Sequence, residues 1–438
     1  SSQIEATAAE PQFASAAWDA MAISKPLLLH FDINKTVILS DSVDSKKVED
    51  GVREAISELY WGQSSAGDKT WSWLGPGSVS AKRPASAPEG ALSYHDYCKR
   101  IIPEKDLRKH VVREFSRADP EAQKSMEKMV LQASAMMEIP DDLKEDPAMF
   151  KAGLNTERYL MLPALFKLAA TLVRRKIKFA ILFRSFGQDH EKVRNEWNAF
   201  CERRHPTFSY LLDGIGALDG TVSGIPDKRL QRIHTMYRDE EGPVLALDTF
   251  TNGPKEQTWD AWVKSKPKPT EDTRSGRPWM RDQGIAFLDG FEPIRNFFEQ
   301  HARCEEVAAF KDDWAWWTWK KEADDAGKLL VAMDAAESFF FDDNIEPHHP
   351  HIVDCRETTG QVMRVDRIEH TCIRINPVEA LLNEDHFVEE VGAKLGLHDL
   401  AMDIEEPISR GISPGVQLVD PSIAAQYQQE QEEASWTA

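Results

Sequence analysis

The feature that most constrains the fold is a set of three short apolar segments that each end abruptly in polar residues. The segments and the polar residues that follow them within two positions are 27–31 with Asp32, 179–183 with Ser185, and 339–341 with Asp342 and Asp343. Apolar runs of this length, interrupted only by His30 in the first, are typical of strands that are buried on both faces of a parallel sheet. Because the carboxyl ends of such strands meet at one edge of the sheet, we expect a ligand-binding crevice there.

Helical segments separate the apolar segments, and this alternation predicts a parallel sheet covered by helices. A helix near residues 157–174 leads into the second strand, and another helix follows that strand. Other elements are predicted as strands at 243–247, 306–310, 328–333 and 351–354 and as helices at 257–263, 291–302 and 313–326. The predicted fold class is therefore α/β, Rossmann-like, with a mainly parallel central sheet.

Changes in composition along the chain predict a core with two insertions and a C-terminal extension. The predicted boundaries are 26–61 and 151–398 for the core, about 207–290 for an irregular insertion within it, 62–150 for a helical insertion, and 399–438 for the extension. The helical insertion starts with a Gly-, Ser- and Pro-rich stretch, 62–93, which is predicted to be a long loop. The extension is polar and is predicted to be partly disordered. The basic, Pro-rich stretch 264–281 predicts a mobile or partner-bound loop.

Charge and hydropathy exclude several classes of protein. The 438 residues include 73 acidic and 53 basic side chains, for a formal net charge of -20, which repels a nucleic-acid backbone. No apolar run approaches the roughly 18 residues that cross a bilayer, so no membrane span is predicted. The five cysteines lie far apart and are odd in number, which favours reduced thiols. The cytoplasm is taken as the default compartment.

The polar residues at the strand ends predict a metal site. Asp32 is followed by Asn34 and Thr36, and the third strand ends in Asp342 and Asp343. Two acidic clusters that meet repel each other unless a cation or a proton intervenes, and oxygen ligands of this kind favour Mg²⁺. We therefore expect Asp32 and Asp343 to lie close enough to share one cation.

In the order and content of these motifs, the chain resembles the haloacid dehalogenase-like (HAD) hydrolase superfamily over about residues 26–354. The first motif of that family is an apolar strand followed by Asp-x-Asp-x-Thr, and residues 28–36 match it except at Asn34. The second motif, a strand that ends in Ser or Thr, is matched by 179–185, and the fourth, a strand that ends in an acidic pair, by 339–343. The helical insertion 62–150 stands where the family carries a cap, a segment that closes over the site and selects substrates.

The resemblance implies a role for each of these residues. Asp32 would be the nucleophile that forms an aspartyl-phosphate. Ser185 and Thr36 would bind the phosphoryl group. The magnesium ion would be bound by Asp32, Asp342, Asp343 and the backbone carbonyl of Asn34. The lysine of the third motif has two candidates: Lys311 follows a predicted strand, and Lys328 lies closer to the acidic pair.

Asn34 is the position at which the chain departs from the phosphatases of the family, which carry a second Asp there as general acid and base. An amide does neither task. The resemblance therefore implies a magnesium-dependent phosphohydrolase or phosphotransferase that acts on a small phosphorylated molecule and is impaired by Asn34. The alternative is a catalytically inactive HAD-like fold that serves as a binding or structural subunit of a larger assembly. Asn34, the Pro-rich loops and a tryptophan cluster at 314–319 favour that alternative.

A group of histidines follows the acidic pair. His348, His349 and His351, close to Asp354, have the composition of a metal site. They flank Pro350, and no matching ligand cluster stands elsewhere in the sequence. We therefore interpret them as part of a loop at the rim of the sheet rather than as a zinc site.

Overall fold

A computed structural model describes residues 25–39, 48–65, 67–141, 143–151, 154, 158–250, 276–346, 349–402 and 404. The fold is α/β and Rossmann-like, with a mixed, mostly parallel sheet of eight strands. Within these described residues the strands are β1 (Leu27–Asp32), β2 (Trp61–Ser64), β3 (Trp71–Trp73), β4 (Leu92–Ser93), β5 (Phe179–Ser185), β6 (Arg232–Asp239), β7 (Gly242–Ala246), β8 (Phe287–Asp289), β9 (Val307–Lys311), β10 (Lys328–Val331), β11 (Glu337–Asp342), β12 (Val353–Arg356) and β13 (Cys372–Arg374).

The large sheet has the strand order β13-β11-β1-β5-β9-β6-β7-β8. The first six strands in that order are parallel, and the β6-β7 and β7-β8 pairs are antiparallel. Beside the large sheet, β10 and β12 form a parallel pair, and β2, β3 and β4 form a small antiparallel sheet. The three strands that the sequence singled out, β1, β5 and β11, are therefore neighbours.

Helices cover the sheet and fill the segment between β1 and β5. They are α1 (Val48–Leu59), α2 (Tyr94–Ile101), α3 (Lys105–Arg113), α4 (Pro120–Met137), α5 (Pro147–Lys151), α6 (Pro163–Arg174), α7 (His190–Cys201), α8 (Gly276–Gln283), α9 (Phe291–Cys304), α10 (Trp314–Trp319), α11 (Val365–Thr371), α12 (Pro377–Leu382) and α13 (His386–Leu395). Several begin where the sequence gives a start signal. Asp119, for example, caps α4 by accepting hydrogen bonds from Glu121 and Ala122, with Pro120 in the first turn.

The central strands are buried on both faces, as their apolar runs predict. On one face of β1, Leu29 and Phe31 join a core cluster with residues of α6, α7 and α13. On the other face, Leu28 packs in a second cluster that includes Ile294 and Phe298 of α9. Both sides of the central strands are therefore covered, so a ligand can approach their polar groups only at the carboxyl ends.

The region 207–290 differs from its prediction as an irregular insertion. It contributes β6, β7 and β8, which extend the large sheet beyond β9. The strand predicted at 243–247 corresponds to β7, whereas β6 was not predicted, because His234 and Thr235 interrupt its buried apolar residues. Most of the predicted loop 264–281 and the whole of the predicted helix 257–263 lie outside the described residues, and α8 begins at Gly276.

Two local predictions were also wrong. The stretch 62–93, predicted as a loop, holds the small antiparallel sheet, with Trp71 buried against Tyr94. The helix predicted at 313–326 is limited to α10 and a short 3-10 helix, Asp324–Ala326. Lys321 and Glu322 adopt left-handed backbone conformations between these two elements, which end the α-helical path.

Among the described residues, no helix combines the length and the apolar character that a membrane span requires. The extension 399–438 lies almost wholly outside the described residues.

Candidate functional site

Three carboxylates meet at the carboxyl edge of the sheet. The parallel register of β1 and β11 aligns Phe31 with Phe341, so that Asp32 and Asp342, the next residue of each strand, stand side by side. Carboxylate oxygens of Asp32, Asp342 and Asp343 all lie within 4.8 Å of one another. The prediction that Asp32 and Asp343 lie close enough to share one cation is confirmed.

Lys328 lies between two of these carboxylates. Its Nζ donates to Oδ1 of Asp32 at 2.5 Å and to Oδ2 of Asp342 at 2.7 Å. All three side chains are almost completely buried. An ammonium group between two buried carboxylates offsets their repulsion, and removing it would leave charge uncompensated in the protein interior.

Lys311, the other candidate for the third motif, has a different partner. It ends β9 and donates a hydrogen bond to the backbone carbonyl of Phe186. Burial lowers the pKa of its amine, and the nearby carboxylates of Asp312 and Asp313 partly oppose that shift. Lys311 thus holds the loop that follows Ser185, whereas Lys328 contacts Asp32 directly.

Burial and mutual repulsion disfavour the ionised forms of the carboxyl groups in the acidic cluster. Burial raises the pKa of Asp32 to about 7; Lys328 opposes that shift and Asp342 adds to it. Asp343 is only partly buried, and burial followed by the charge of Asp342 raises its pKa well above the usual range, while Lys35 opposes the shift. A cation bound among these oxygens would favour their ionised forms.

Asn34 lies between Ser185 and Asp189 and is hydrogen-bonded to both. The hydroxyl of Ser185 donates to Oδ1 of Asn34 at 3.1 Å and accepts from the backbone N–H of Gly187 at 2.8 Å. On its other side, the Asn34 amide donates to Oδ2 of Asp189 at 3.4 Å. The amide of Asn34 is therefore oriented by hydrogen bonds on both sides.

Thr36 links the first motif to the acidic pair. The side chain of Thr36 is fully buried, and its hydroxyl accepts a hydrogen bond from the backbone N–H of Asp343 at 3.2 Å. The turn that brings it there passes through Lys35, whose φ of 59° lies in the left-handed region. Thr36 therefore positions Asp343 in this structure; its predicted contact with a phosphoryl group stays a prediction.

The donors present fit a hard divalent cation. Three carboxylates with oxygen atoms this close form an all-oxygen set of the type that binds Mg²⁺. Asp32, Asp342 and Asp343 would hold the ion, together with the predicted backbone carbonyl of Asn34. Lys328 contacts oxygens of Asp32 and Asp342, so an ion would share these two carboxylates with the ammonium group.

The histidine group has a partner that the sequence did not indicate. Potential ligand atoms of Asp324, His349 and His351 lie within 4.8 Å of one another. Asp354, which the sequence placed beside the histidines, is instead buried in ion pairs with Arg238 and Arg356. The sequence offered no ligand cluster to match the histidines, and the folded chain adds one carboxylate, that of Asp324 at the start of the 3-10 helix. His348 lies outside the described residues.

Sequence reasoning thus missed two residues next to predicted ones, Asp189 and Asp324. Asp189 could have been suspected, since it lies four positions after Ser185 in the same loop. Asp324 lies in a run of charged residues with no pattern that points to the histidines, and only the folded chain brings it near them.

Comparisons of the chain with protein-family models, with curated proteins and with solved structures return no match.

Proposed function

We propose that the chain is a magnesium-dependent, HAD-like phosphohydrolase or phosphotransferase that acts on a small phosphorylated molecule. The observation that carries this proposal is the meeting of Asp32, Asp342 and Asp343 around the ammonium of Lys328 at the ends of two parallel strands. These residues come from the predicted first and fourth motifs and from one candidate for the third. The segment 62–150 would act as the cap.

The first chemical step is attack on phosphorus by a carboxylate oxygen of Asp32. A bond forms between that oxygen and phosphorus, and the bond from phosphorus to the leaving oxygen breaks, which gives an aspartyl-phosphate. Lys328 holds the attacking carboxylate, since its ammonium lies 2.5 Å from Oδ1 of Asp32, and it favours the ionised form against the effect of burial. Bound Mg²⁺ would supply neutralisation of the charge on the phosphoryl oxygens.

Ser185 would bind a phosphoryl oxygen through its hydroxyl. That hydroxyl donates to Asn34 in the structure, so the hydrogen bond must change partner when the substrate enters. The backbone N–H of Gly187, which donates to the same hydroxyl, keeps it in place during this exchange.

The second step, attack of water on phosphorus, regenerates Asp32 and releases phosphate. Asn34 cannot protonate the leaving oxygen or activate this water, a loss that typically costs about 10² to 10⁴ in rate. The proposed enzyme should therefore favour substrates whose leaving group departs without protonation, such as aryl phosphates or mixed anhydrides. If a better nucleophile than water attacked the aspartyl-phosphate, the phosphoryl group would pass to that acceptor and the protein would be a phosphotransferase.

A second candidate function is a non-catalytic binding subunit that has kept the fold. Lys328 already offsets part of the charge that a cation would neutralise. Trp314 and Trp319 of α10 are 45% and 48% exposed, which is unusual for such large apolar side chains and suits a protein-protein contact.

Hydrolysis of an aryl phosphate and of an alkyl phosphate in Mg²⁺ tests these two candidates. Wild type should hydrolyse the aryl ester much faster than the alkyl ester. Asp32→Asn should abolish activity, Asn34→Asp should restore part of the alkyl activity, and Asp334→Asn, an exposed carboxylate in the turn before β11, should match wild type. Absence of activity in both wild type and Asn34→Asp would reject the enzyme and favour the binding subunit.

A further inference from the structure

A second group of potential metal ligands lies apart from the acidic cluster and consists of Asp324, His349 and His351. Nε2 of His349 lies 2.8 Å from Oδ2 of Asp324, and ligand atoms of all three residues lie within 4.8 Å of one another. Asp324 and His349 are exposed and His351 is partly buried, so an ion can reach all three from solvent. The group combines two imidazoles with one carboxylate, in contrast to the all-oxygen set of Asp32, Asp342 and Asp343.

A close backbone approach brings the two halves of this group together. Gly327 packs against the carbonyl of Ile352, and a Cβ at Gly327 would lie 2.2 Å from that oxygen. The next residue, Lys328, donates its backbone N–H to the same oxygen at 2.8 Å and begins the β10-β12 ladder. Only glycine permits this contact, which fixes the turn that carries Asp324 against the loop that carries the histidines.

The histidine loop is itself constrained. Backbone N–H and C=O groups of Glu346 and His349 are hydrogen-bonded to each other in both directions, at 3.0 and 3.1 Å. His351 follows Pro350 and has a φ of 46°, a left-handed conformation that is uncommon outside glycine. Such backbone conformations persist where the surrounding structure holds them, and they concentrate at binding and catalytic sites.

Packing on Trp317 also limits the movement of the His351 ring. The ring of Trp317 meets the His351 ring nearly edge to face, with centroids 5.8 Å apart and planes at 70°. Trp317 in turn stacks on Phe186, the residue after Ser185, at 5.4 Å. The ring of His351 is therefore supported by side chains that are continuous with the loop of the candidate active site.

We propose that Asp324, His349 and His351 form a zinc site. Neutral imidazole nitrogens and a carboxylate oxygen are the ligands that Zn²⁺ takes in proteins, and three protein ligands leave a fourth position open for water or an external ligand. The contact between Nε2 of His349 and Oδ2 of Asp324 does not oppose binding strongly, because a contact between two exposed side chains contributes little to stability. The site does not depend on the proposed phosphohydrolase function, since it shares no ligand with the acidic cluster.

Zinc binding to the full chain tests the proposal. Titration with ZnCl₂ by calorimetry, in a large excess of Mg²⁺ to occupy the acidic cluster, should give one zinc per chain. His349→Gln and His351→Gln should each weaken binding by more than the about 10- to 100-fold that loss of an outer-sphere partner typically costs. Asp324→Asn should also weaken it, since an amide is a poorer zinc ligand than a carboxylate.

Two matched variants locate the zinc. His370→Gln removes another exposed histidine, which pairs with Glu337 at 3.3 Å and belongs to no three-ligand group among the described residues, and it should leave zinc affinity unchanged. Asp343→Asn should also leave it unchanged. Circular dichroism of each variant establishes that it is folded. Absence of zinc binding, or zinc affinity that falls with Asp343→Asn but not with the two histidine variants, would overturn the proposal.

Discussion

The ammonium of Lys328 lies 2.5 Å from Oδ1 of Asp32, although 296 positions separate the two residues in the sequence. The same ammonium lies 2.7 Å from Oδ2 of Asp342. This contact joins the end of β1 to the start of β10, and it places a positive charge where two acidic strand ends meet. Lys328 therefore serves both stability and the proposed chemistry, and the two roles can be separated experimentally.

Lys328→Met should lower the free energy of unfolding by about 3 to 5 kcal/mol at pH 8, because it leaves buried carboxylates without their cation. Mg²⁺ should then stabilise the variant more than wild type, since the ion can take over part of the neutralisation. Urea denaturation with and without MgCl₂ measures both effects. Lys144→Met, which removes an exposed ion pair with Asp141, should change the free energy of unfolding far less and show no added response to Mg²⁺. Equal Mg²⁺ effects in Lys328→Met and wild type would argue against a cation site beside Lys328.

Asp189 should control the ionisation of a carboxylate introduced by Asn34→Asp. The Asn34 amide lies 3.4 Å from Oδ2 of Asp189, so the substitution puts two carboxylates next to each other, and like charge raises a carboxyl pKa. The introduced carboxyl group should therefore stay protonated, and able to act as general acid on an alkyl phosphate, to higher pH than an isolated Asp. Adding Asp189→Asn should shift the basic limb of the pH-rate profile to lower pH by roughly 1 unit or more. A profile that does not move would mean that Asp189 does not face position 34 during catalysis.

The meeting of the polar strand ends at one edge of the sheet could be predicted from the sequence, because it depends only on the apolar runs and on the parallel order of the strands. Apolar runs specify strands that are buried on both faces, and parallel strands bring their polar carboxyl ends to one edge. For this reason Asp32, Ser185 and Asp342 were found from the sequence alone. The choice between Lys311 and Lys328 could not be made, because each begins or ends a strand beside a loop and only the pairing of β10 with β12 aims Lys328 at Asp32.

Other features depend on tertiary contacts that leave no local pattern. The strands β6 and β8 were not predicted, because polar residues interrupt the buried positions of β6 and β8 has only three residues, although with β7 they complete the large sheet. Asp324 meets His349 only because Gly327 lets two backbones approach closely. A glycine that serves such an approach looks, in a sequence, like any glycine before a strand.

A buried ion pair behind the site gives a stability prediction. Nε and Nη2 of Arg184 donate to the two carboxylate oxygens of Asp312 at 3.0 and 2.5 Å, and both side chains are essentially inaccessible to solvent. Asp312→Asn should lower the free energy of unfolding by about 3 to 5 kcal/mol, because it leaves the guanidinium buried without its counter-charge. The double variant Arg184→Met, Asp312→Leu should lose less than Asp312→Asn alone, as urea denaturation would show. A double variant that loses the sum of both single effects would contradict this account of the pair.

A buried histidine predicts how stability depends on acid. His190 begins α7 and is fully inaccessible, and burial lowers its pKa to about 4, although a hydrogen bond to the Phe310 carbonyl and nearby carboxylates oppose the shift. Between pH 4 and 6.5 the unfolded chain therefore binds a proton at this residue that the folded chain does not, so stability falls as the pH is lowered through that range. Within that range His190 changes the free energy of unfolding by about 1.4 kcal/mol per pH unit. Above about pH 7.5 this pH dependence vanishes, because the residue is neutral in both states.

His190→Gln keeps a donor for the Phe310 carbonyl but does not titrate. The difference in unfolding free energy between wild type and His190→Gln should therefore change by about 3 kcal/mol between pH 6.5 and pH 4, in the direction that favours the variant in acid, and should be constant above neutral pH. Other buried histidines, such as His234 and His386, whose pKa values burial also lowers to about 4, remain in both proteins and cancel in the comparison. Urea denaturation at half-unit pH steps measures the difference. A constant difference across the whole range would contradict this account, because it would show that the pKa of His190 is the same in the folded and the unfolded chain.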